Sequence, residues 1–265
     1  MKRTPITLLI VAALVLTFNQ TGCKKDSQNI LTVGATPVPH AELLALVKDD
    51  LAARGITLRI VEFTDYVQPN MALIAGDLDA NFFQHIPYLD SNDEWASKLV
   101  SAFGVHIEPF GLYSRRYNSL NSLPNDATIA IPNDPSNGGR ALLLLEASGL
   151  ITLRDGAGLT ATSRDVVNNP KNFRFQELEA AQLPRSLQDV DAAAINGNYA
   201  LEAGLNPLRD SLIIEGAESP YVNIVVVQRG NEQNEKITAL KNALLSAKVR
   251  DYINRTYDGA VAPVF

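Results

Sequence analysis

Scarce residue types set the first limits on what this protein can be. Its 265 residues include a single cysteine and only three histidines. One cysteine excludes an internal disulfide framework and any metal centre built from several thiolates. Basic residues are outnumbered, with 23 Lys and Arg against 29 Asp and Glu and a net charge of −6. Because nucleic-acid recognition needs a concentrated basic surface, we expect no nucleic-acid partner.

Long apolar runs are missing too, apart from one short stretch near the amino terminus. This stretch covers residues 6–18, follows a basic start and is too short to span a bilayer easily. Gly22 and Cys23 come next and are followed by a polar segment. A basic start, a short apolar stretch and a small residue before the cysteine are, in this order, typical of a secretory signal. We therefore predict that residues 1–22 are removed and that residues 23–29 form a tether.

The single cysteine lies where bacterial lipoproteins carry the cysteine that becomes the lipidated first residue. The segment around Cys23 resembles such a signal, and a plain signal peptide with a free cysteine is the alternative. At about 0.8 kcal/mol for each buried methylene, two or more acyl chains hold a protein stably at a membrane. The sequence thus predicts a protein of the cell envelope, anchored by lipid and facing the periplasm or the outside.

The rest of the chain alternates short apolar strands with amphipathic helices, which predicts an α/β fold with helices over mostly parallel sheets. After a long extended stretch, the pattern restarts near residues 127–131. Two such series indicate two lobes with a hinged cleft between them. We assign residues 30–110 and 222–265 to the first lobe and residues 111–221 to the second.

Several elements are specific enough to be tested. Apolar runs predict strands over residues 30–35, 56–63, 78–83, 127–131, 192–195 and 221–228, an extended stretch over 99–113, and single helices over 41–54, 136–147 and 234–257. In the third strand, the two-residue period of side-chain direction places Asn81, Phe83 and His85 on one face. Phe82 and Gln84 then belong to the other face.

A polar segment between a strand and a helix ends at Arg140 and suggests an anion site. Asp134 or Ser136 can cap the helix, and Gly138 and Gly139 would let a ligand approach free backbone amides. The Arg140 guanidinium matches a carboxylate in bidentate geometry. The segment therefore predicts a site for one small carboxylate, and a capped helix with a solvent-facing arginine is the alternative.

Aromatic and amide side chains at other strand ends could complete such a site. The aromatic candidates for the walls of a pocket are Tyr66, Phe83, His85 and Tyr88. Their rings suit a flat apolar group or a thioether. Asn196 and Asn198 offer the donors and acceptors that an α-amino acid needs. The competing interpretations are ordinary core packing for the aromatic residues and simple turns for the asparagines.

Metal binding and catalysis have little support. His40, His85 and His106 show no helical metal-ligand spacing, and His106 with Glu108 on one strand face is explained by a simple His/Glu pair. Neither a G-x-S-x-G nor an H-E-x-x-H motif is present. We expect no metal, no cofactor and no enzymatic activity.

Six strings resemble the methionine-binding lipoproteins of ATP-binding cassette importers. They are GATPVPHAE (34–42), ANFFQHIPYLD (80–90), IPNDPSNGGRALLLLEASGLI (131–151), LEAAQLPRSL (178–187), AINGNYALEAGL (194–205) and ESPYVNIVVV (218–227). The resemblance implies a two-lobed periplasmic-binding-protein fold, L-methionine as ligand and a membrane permease as partner. It also implies ligand contacts, with Arg140 and Asn137 at the ligand backbone, Asn196 and Asn198 in the polar set, and Tyr66, Phe83, His85, Tyr88 and Tyr221 around the side chain.

Other functions stay open from the sequence alone. The same fold could hold another apolar amino acid, D-methionine or a methionine-containing dipeptide. A surface interaction protein or adhesin is the alternative of another class, and a metal-binding receptor is a third.

Lipid attachment at Cys23 can be tested directly. We expect Cys23→Ser to release the protein in soluble form without changing its affinity for ligand, because the tether precedes both predicted lobes. Metabolic labelling with a fatty acid, followed by fractionation of cells, measures attachment. A parent protein that incorporates no label would contradict the lipoprotein assignment.

Overall fold

The computed structural model describes residues 29–216 and 219–265. The predicted signal peptide, Cys23 and nearly all of the predicted tether lie outside these residues. Within the described part of the chain, no helix is long and apolar enough to cross a membrane.

The described residues form strands and helices in alternation. The strands are β1 (Ile30–Ala35), β2 (Thr57–Glu62), β3 (Ala80–His85), β4 (Leu99–Ile107), β5 (Gly111–Tyr113), β6 (Thr128–Pro132), β7 (Thr152–Leu153), β8 (Val166–Asn168), β9 (Arg174–Leu178), β10 (Ala192–Ile195), β11 (Ser211–Ile214), β12 (Val222–Gln228) and β13 (Ala262–Pro263). The helices are α1 (Glu42–Leu46), α2 (Lys48–Ala52), α3 (Gln68–Ala75), α4 (Ile86–Asp90), α5 (Asp93–Lys98), α6 (Pro135–Ala147), α7 (Leu183–Ser186), α8 (Gly197–Glu202), α9 (Pro207–Asp210), α10 (Glu235–Leu244) and α11 (Ala247–Tyr257). Shorter helical turns cover Pro37–Ala41, Leu120–Ser122, Gly158–Thr160, Ser163–Asp165 and Ala180–Gln182.

The larger sheet has the strand order β13-β4-β12-β3-β1-β2. β1 runs parallel to β2 and β3, whereas β12 runs antiparallel to β3 and β4. Helices α1, α2, α10 and α11 pack on one face, and α3 to α5 pack on the other. Because both faces are covered, the inner strands β1 and β12 are almost wholly buried, which explains their continuous apolar sequences.

The second sheet has the strand order β11-β5-β10-β6-β9. β6, β9 and β10 are parallel, and β5 and β11 run antiparallel to their neighbours. Helix α6 packs its apolar side against one face of this sheet, and α7 and α8 cover the other. A small antiparallel pair, β7 and β8, extends this half of the molecule.

Two connections join the sheets. Residues 108–110 lead from β4 to β5, and the segment after Ile214 leads from β11 back to β12. β12 then inserts between β3 and β4 in the middle of the larger sheet. This topology confirms the predicted two-lobed α/β architecture. The lobe boundaries at residues 110 and 221 stay predictions, and both lie at these connections.

Two predicted helices are wrong in their continuity. The helix predicted over residues 41–54 is divided at Val47, whose φ of −99° and ψ of 5° are not helical. The helix predicted over 234–257 is divided before Ser246, whose side chain caps the backbone N–H of Val249 at the start of α11. The stretch predicted over 99–113 consists of two strands in different sheets. Each apolar pattern continues across its break, so periodicity alone does not reveal it.

A β-bulge at Phe83 overturns the predicted alternation along β3. The pairing with β12 shifts register opposite Phe83. Gln84 consequently lies on the same side as Asn81, and its Nε2 donates a hydrogen bond to the Asn81 Oδ1 at 2.9 Å. The assignment of Phe82 and Gln84 to one face is therefore wrong, because the two-residue period is interrupted at a bulge.

The two glycines at the start of α6 serve packing instead of ligand approach. A Cβ atom on Gly138 would lie 2.8 Å from the carbonyl oxygen of Pro132, and one on Gly139 would lie 2.9 Å from the backbone nitrogen of Ala161. Neither glycine lines the cavity that lies between the two sheets. The backbone of α6 thus packs directly against neighbouring backbone, and the expected opening for a ligand at these glycines is wrong.

We expect Gly139→Ala to destabilise the protein by about 1–3 kcal/mol, since the added methyl group must push backbone atoms apart. This loss of stability is opposite to the gain of about 0.5–1 kcal/mol that usually results when alanine replaces glycine within a helix. Gly216→Ala is the matched control, because its Cβ would meet no atom within 4 Å. Urea denaturation measures both variants, and equal stability for the two would contradict the packing role.

Candidate functional site

A cavity lies between the two lobes, beside the carboxyl ends of β3 and β10. Its lining residues are Tyr66, Phe83, Gln84, His85, Tyr88, Glu108, Asn137, Arg140, Asn196, Gly197, Asn198 and Asn223. Ligands of open α/β proteins bind beyond the carboxyl ends of the sheet strands, and this cavity lies in such a position.

The structure brings the predicted site residues together. Eight of the nine, all except Tyr221, line the cavity. Tyr221 lies directly behind it, with its ring centre 4.0 Å from the Arg140 Cζ and 4.9 Å from the His85 ring centre. That these side chains contact a ligand stays a prediction.

Sequence reasoning missed four lining residues: Gln84, Glu108, Gly197 and Asn223. Gln84 was assigned to the wrong face because the bulge in β3 has no signature in the sequence. Glu108 was interpreted only as a partner of His106. Asn223 lies within the strand β12 and reaches the site because that strand returns from the second lobe. The resemblance to the string over residues 218–227 was the one signal that could have found it.

Arg140 is buried, 4% exposed, and an internal carboxylate already occupies one edge of its guanidinium. Its Nε donates to Glu215 Oε1 at 3.0 Å and its Nη2 to Glu215 Oε2 at 2.5 Å. Nη2 also donates to the backbone carbonyl of Glu108 at 3.1 Å. Among the described residues, Nη1 has no hydrogen-bond partner. The alternative of a solvent-facing arginine is therefore wrong, and one nitrogen of the guanidinium stays available.

Asp134 occupies the predicted anion site at the start of α6. Its carboxylate accepts the backbone N–H of Asn137 at 2.8 Å and the Asn137 side-chain amide at 3.0 Å. The expected site at free helix amides is therefore wrong, because Asp134 takes these donors. Asn137 Oδ1 in turn accepts from Asn196 Nδ2 at 2.8 Å and lies 3.2 Å from His85 Nε2. Asn137 thus positions two other lining side chains.

Two buried amide atoms of the cavity have no hydrogen-bond partner among the described residues: Asn196 Oδ1 and Asn198 Nδ2. The opposite ends of these amides are engaged, Asn196 with Asn137 and Asn198 Oδ1 with the Tyr66 hydroxyl at 2.5 Å. A buried polar group without a partner costs about 1–3 kcal/mol. The cavity therefore presents one acceptor and one donor that a polar ligand can satisfy.

Aromatic rings close the opposite side of the cavity. The Tyr66 ring centre lies 5.8 Å from that of Phe83, 5.7 Å from that of Tyr88 and 4.9 Å from that of Tyr199. Tyr199, on α8, was not predicted, and its hydroxyl donates to the Thr64 carbonyl at 3.0 Å. Tyr66 and Tyr199 therefore also carry hydrogen bonds between the lobes.

His85 is a neutral part of the wall. Its Nδ1 accepts the backbone N–H of Tyr88 at 3.2 Å, so Nε2 carries the proton and faces the Asn137 Oδ1. Burial, together with the positive charge of Arg140, lowers the pKa of His85 to about 3.

The group of side chains closest to a metal-ligand set is His40, His106 and Glu108, whose potential ligand atoms lie within 4.8 Å of one another. Glu108 Oε1 lies 2.8 Å from His106 Nε2 and 3.3 Å from His40 Nε2. The sequence paired His106 with Glu108 but did not show that His40 joins them. Burial lowers the pKa of His40 to about 4 and that of His106 to about 3. As a neutral imidazole, His106 donates to the carboxylate, whereas His40 Nε2 is hydrogen-bonded to Asn223 Oδ1 at 3.1 Å.

Comparisons with known proteins identify the family of the chain. Residues 31–265 match the NlpA lipoprotein family. The chain belongs to the NlpA lipoprotein family. Among its relatives in that family, membrane lipoprotein TpN32 of Treponema pallidum is 45% identical over 99% of this chain and 99% of the relative. The D-methionine-binding lipoprotein MetQ of Escherichia coli is 42% identical over 96% of each.

Solved structures of NlpA-type proteins share the fold. A nutrient binding protein from Burkholderia cenocepacia, bound to methionine, has a TM-score of 0.86 and 44% identity, covering 89% of this chain and 100% of the other. The methionine binding protein MetQ has a TM-score of 0.84 and 40% identity, covering 89% and 98%. The predicted family and fold are thereby confirmed. The NlpA family consists of solute-binding proteins for transport and not of enzymes, as the sequence predicted.

The buried histidines predict that the protein loses stability in mild acid. Because the folded pKa values of His40, His85 and His106 lie at about 4, 3 and 3, the unfolded chain binds protons first as the pH falls below 6.5. The free energy of unfolding should fall by up to about 1.4 kcal/mol for each pH unit and each histidine between pH 6.5 and 4. Burial raises the pKa values of Glu108 and Asp134, which acts in the opposite direction.

Urea unfolding at a series of pH values measures this dependence. A His106→Asn variant isolates the share of one histidine, and its stability should change less steeply with pH than that of the parent. Identical slopes for the two proteins would show that His106 is not buried in its neutral form.

Proposed function

We propose that this protein captures methionine outside the cytoplasm and delivers it to the permease of an ATP-binding cassette importer. The observation that carries the proposal is one interlobe cavity that combines a buried guanidinium, unpartnered amide atoms and a wall of aromatic rings. Relatives named for methionine or D-methionine binding, and a neighbouring structure bound to methionine, support the same ligand.

The polar part of the cavity suits the backbone of an amino acid. Asn198 Nδ2 is a buried donor without a partner among the described residues, and the Arg140 guanidinium lines the same cavity, so both can bind a carboxylate. Hydrogen bonds to a charged group contribute about 1.5–3 kcal/mol each. Asn196 Oδ1 is an acceptor and can take an N–H of the ammonium group.

The apolar part suits a thioether. The rings of Phe83, Tyr66 and Tyr88 form a continuous aromatic wall, with neighbouring ring centres about 6 Å apart. A sulfur atom near an aromatic ring contributes about 0.3–1.5 kcal/mol beyond the burial of its apolar neighbours. A methionine side chain can use this contribution, whereas a purely aliphatic side chain of similar length cannot.

Capture and delivery follow from the contacts between the lobes. Tyr66 bonds to Asn198 and Tyr199 bonds to Thr64 across the cleft, so a ligand in the cavity is enclosed by both lobes. Release requires these hydrogen bonds to open, which the two connections between the sheets permit. A lipid anchor on Cys23 would keep the protein at the membrane that contains the permease.

We expect Phe83→Leu to weaken methionine binding about 2- to 10-fold more than it weakens norleucine binding, because norleucine replaces the sulfur by a methylene group. Glycine binding should change least, since glycine has no side chain to reach the wall. Phe173→Leu is the matched control, because both rings are 4% exposed and Phe173 lies in the core of the second lobe.

Titration calorimetry with L-methionine, D-methionine, norleucine, glycine and a methionine-containing dipeptide tests the function and the wall together. Tighter binding of D-methionine or the dipeptide would show that this compound, and not L-methionine, is the preferred ligand. A parent protein that binds none of these compounds would contradict the proposed function and favour a surface interaction protein.

A further inference from the structure

We propose that Glu108 is the anionic partner of the ligand's α-ammonium group and makes the site specific for amino acids with a free amino group. The inference rests on the proposed function, since it concerns the same cavity and deepens the description of its ligand.

The charges around the cavity require such a partner. Arg140 and Glu108 are the charged residues that line it, and His85 is neutral. The guanidinium of Arg140 already forms an ion pair with Glu215. That pair largely balances itself, and Glu108 forms no ion pair with an arginine or lysine among the described residues. Burial raises the pKa of its carboxyl group, and the charge of Arg140 opposes this shift. Burying an unpaired charge costs several kcal/mol, and a bound ammonium group would remove this cost.

Neutral donors hold the Glu108 carboxylate in place. His106 Nε2 donates to its Oε1 at 2.8 Å, and the backbone N–H of Asn198 also bonds to the carboxylate. His40 Nε2 lies 3.3 Å from the same oxygen but is hydrogen-bonded to Asn223 Oδ1 at 3.1 Å. His40 is itself fixed through its Nδ1, which lies 2.8 Å from the Thr36 hydroxyl oxygen. These donors orient the carboxylate and supply no formal charge, so the position for a cation is preserved.

The same contacts argue against a metal ion in this cluster. A metal bound to His106 Nε2 would force the ring proton onto Nδ1, which is buried without a hydrogen-bond partner among the described residues. As a neutral donor through Nε2, His106 keeps Nδ1 unprotonated, so no N–H group of this ring is buried without an acceptor. The geometry therefore favours a carboxylate that accepts from His106, with His40 beside it on Asn223.

A glycine lets the carboxylate reach the cavity. A Cβ atom on Gly197 would lie 2.6 Å from the Cβ and 3.0 Å from the Oε2 of Glu108. Glu108 therefore packs against the bare backbone at the start of α8, beside Asn196 and Asn198. The acceptor Asn196 Oδ1 and the Glu108 carboxylate thus serve the ammonium end of the ligand, and the donors Arg140 Nη1 and Asn198 Nδ2 serve the carboxylate end.

Calorimetry with two ligands and two variants tests the proposal. The ligands are L-methionine and 4-(methylthio)butanoate, which has the same carboxylate and thioether but no amino group. Glu108→Gln keeps the shape of the side chain and removes its charge, so it should weaken methionine binding about 10- to 100-fold and change binding of the amino-free acid less than about 3-fold. Glu215→Gln is the matched control and should affect both ligands equally, because it acts through Arg140.

Measurements on the parent protein keep the test independent of the folding of any variant. The parent should bind methionine at least about 10-fold more tightly than 4-(methylthio)butanoate or N-acetylmethionine. Equal affinity for methionine and the amino-free acid would overturn the role of Glu108 and leave the proposed function intact. Failure of the parent to bind either compound would overturn the proposed function itself. One equivalent of a divalent metal in the purified parent, lost in Glu108→Gln, would assign the cluster to a metal ion and overturn the proposal.

Discussion

The buried guanidinium of Arg140 is the interaction on which the rest of the site depends. A charge in this position is tolerated because Glu215 pairs with it, the Glu108 carbonyl accepts from it and Tyr221 stacks on it at 4.0 Å. These contacts draw on both connections between the lobes, since Glu108 and Tyr221 each lie where the chain passes from one sheet to the other. The contacts of this one charge therefore hold both connections between the sheets close together.

Around that charge, the cavity is divided into a polar end and an aromatic end. Asn137 links the two by accepting from Asn196 and contacting His85, a residue of the other lobe. Tyr66 performs a similar task, with its ring in the aromatic wall and its hydroxyl on Asn198. Tyr66 therefore belongs both to the wall of the cavity and to the contacts between the lobes.

The sequence predicted the architecture well because it is encoded in local periodicity. The strands at 30–35 and 192–195 and the helix α6 follow directly from their apolar patterns, and the capping residue Asp134 was one of two candidates. The candidate site was found largely because its residues follow strand ends, where ligands of α/β proteins bind.

Features that depend on distant parts of the chain could not be predicted in the same way. The pairing of Arg140 with Glu215 joins residues 75 positions apart, and the approach of His40 to Glu108 joins two elements with no shared pattern. The bulge at Phe83 arises from the register of β12, a strand that is more than a hundred residues away in the chain. Such features are set by tertiary packing, and a single sequence contains no periodic signal for them.

A crystal structure of the protein with L-methionine is the most direct test of this account. We expect the ligand carboxylate within hydrogen-bond distance of Arg140 Nη1 and Asn198 Nδ2, its ammonium group at Asn196 Oδ1 and Glu108, and its sulfur against the Phe83 ring. A methionine bound outside this cavity, or one whose carboxylate makes no contact with Arg140, would contradict the account.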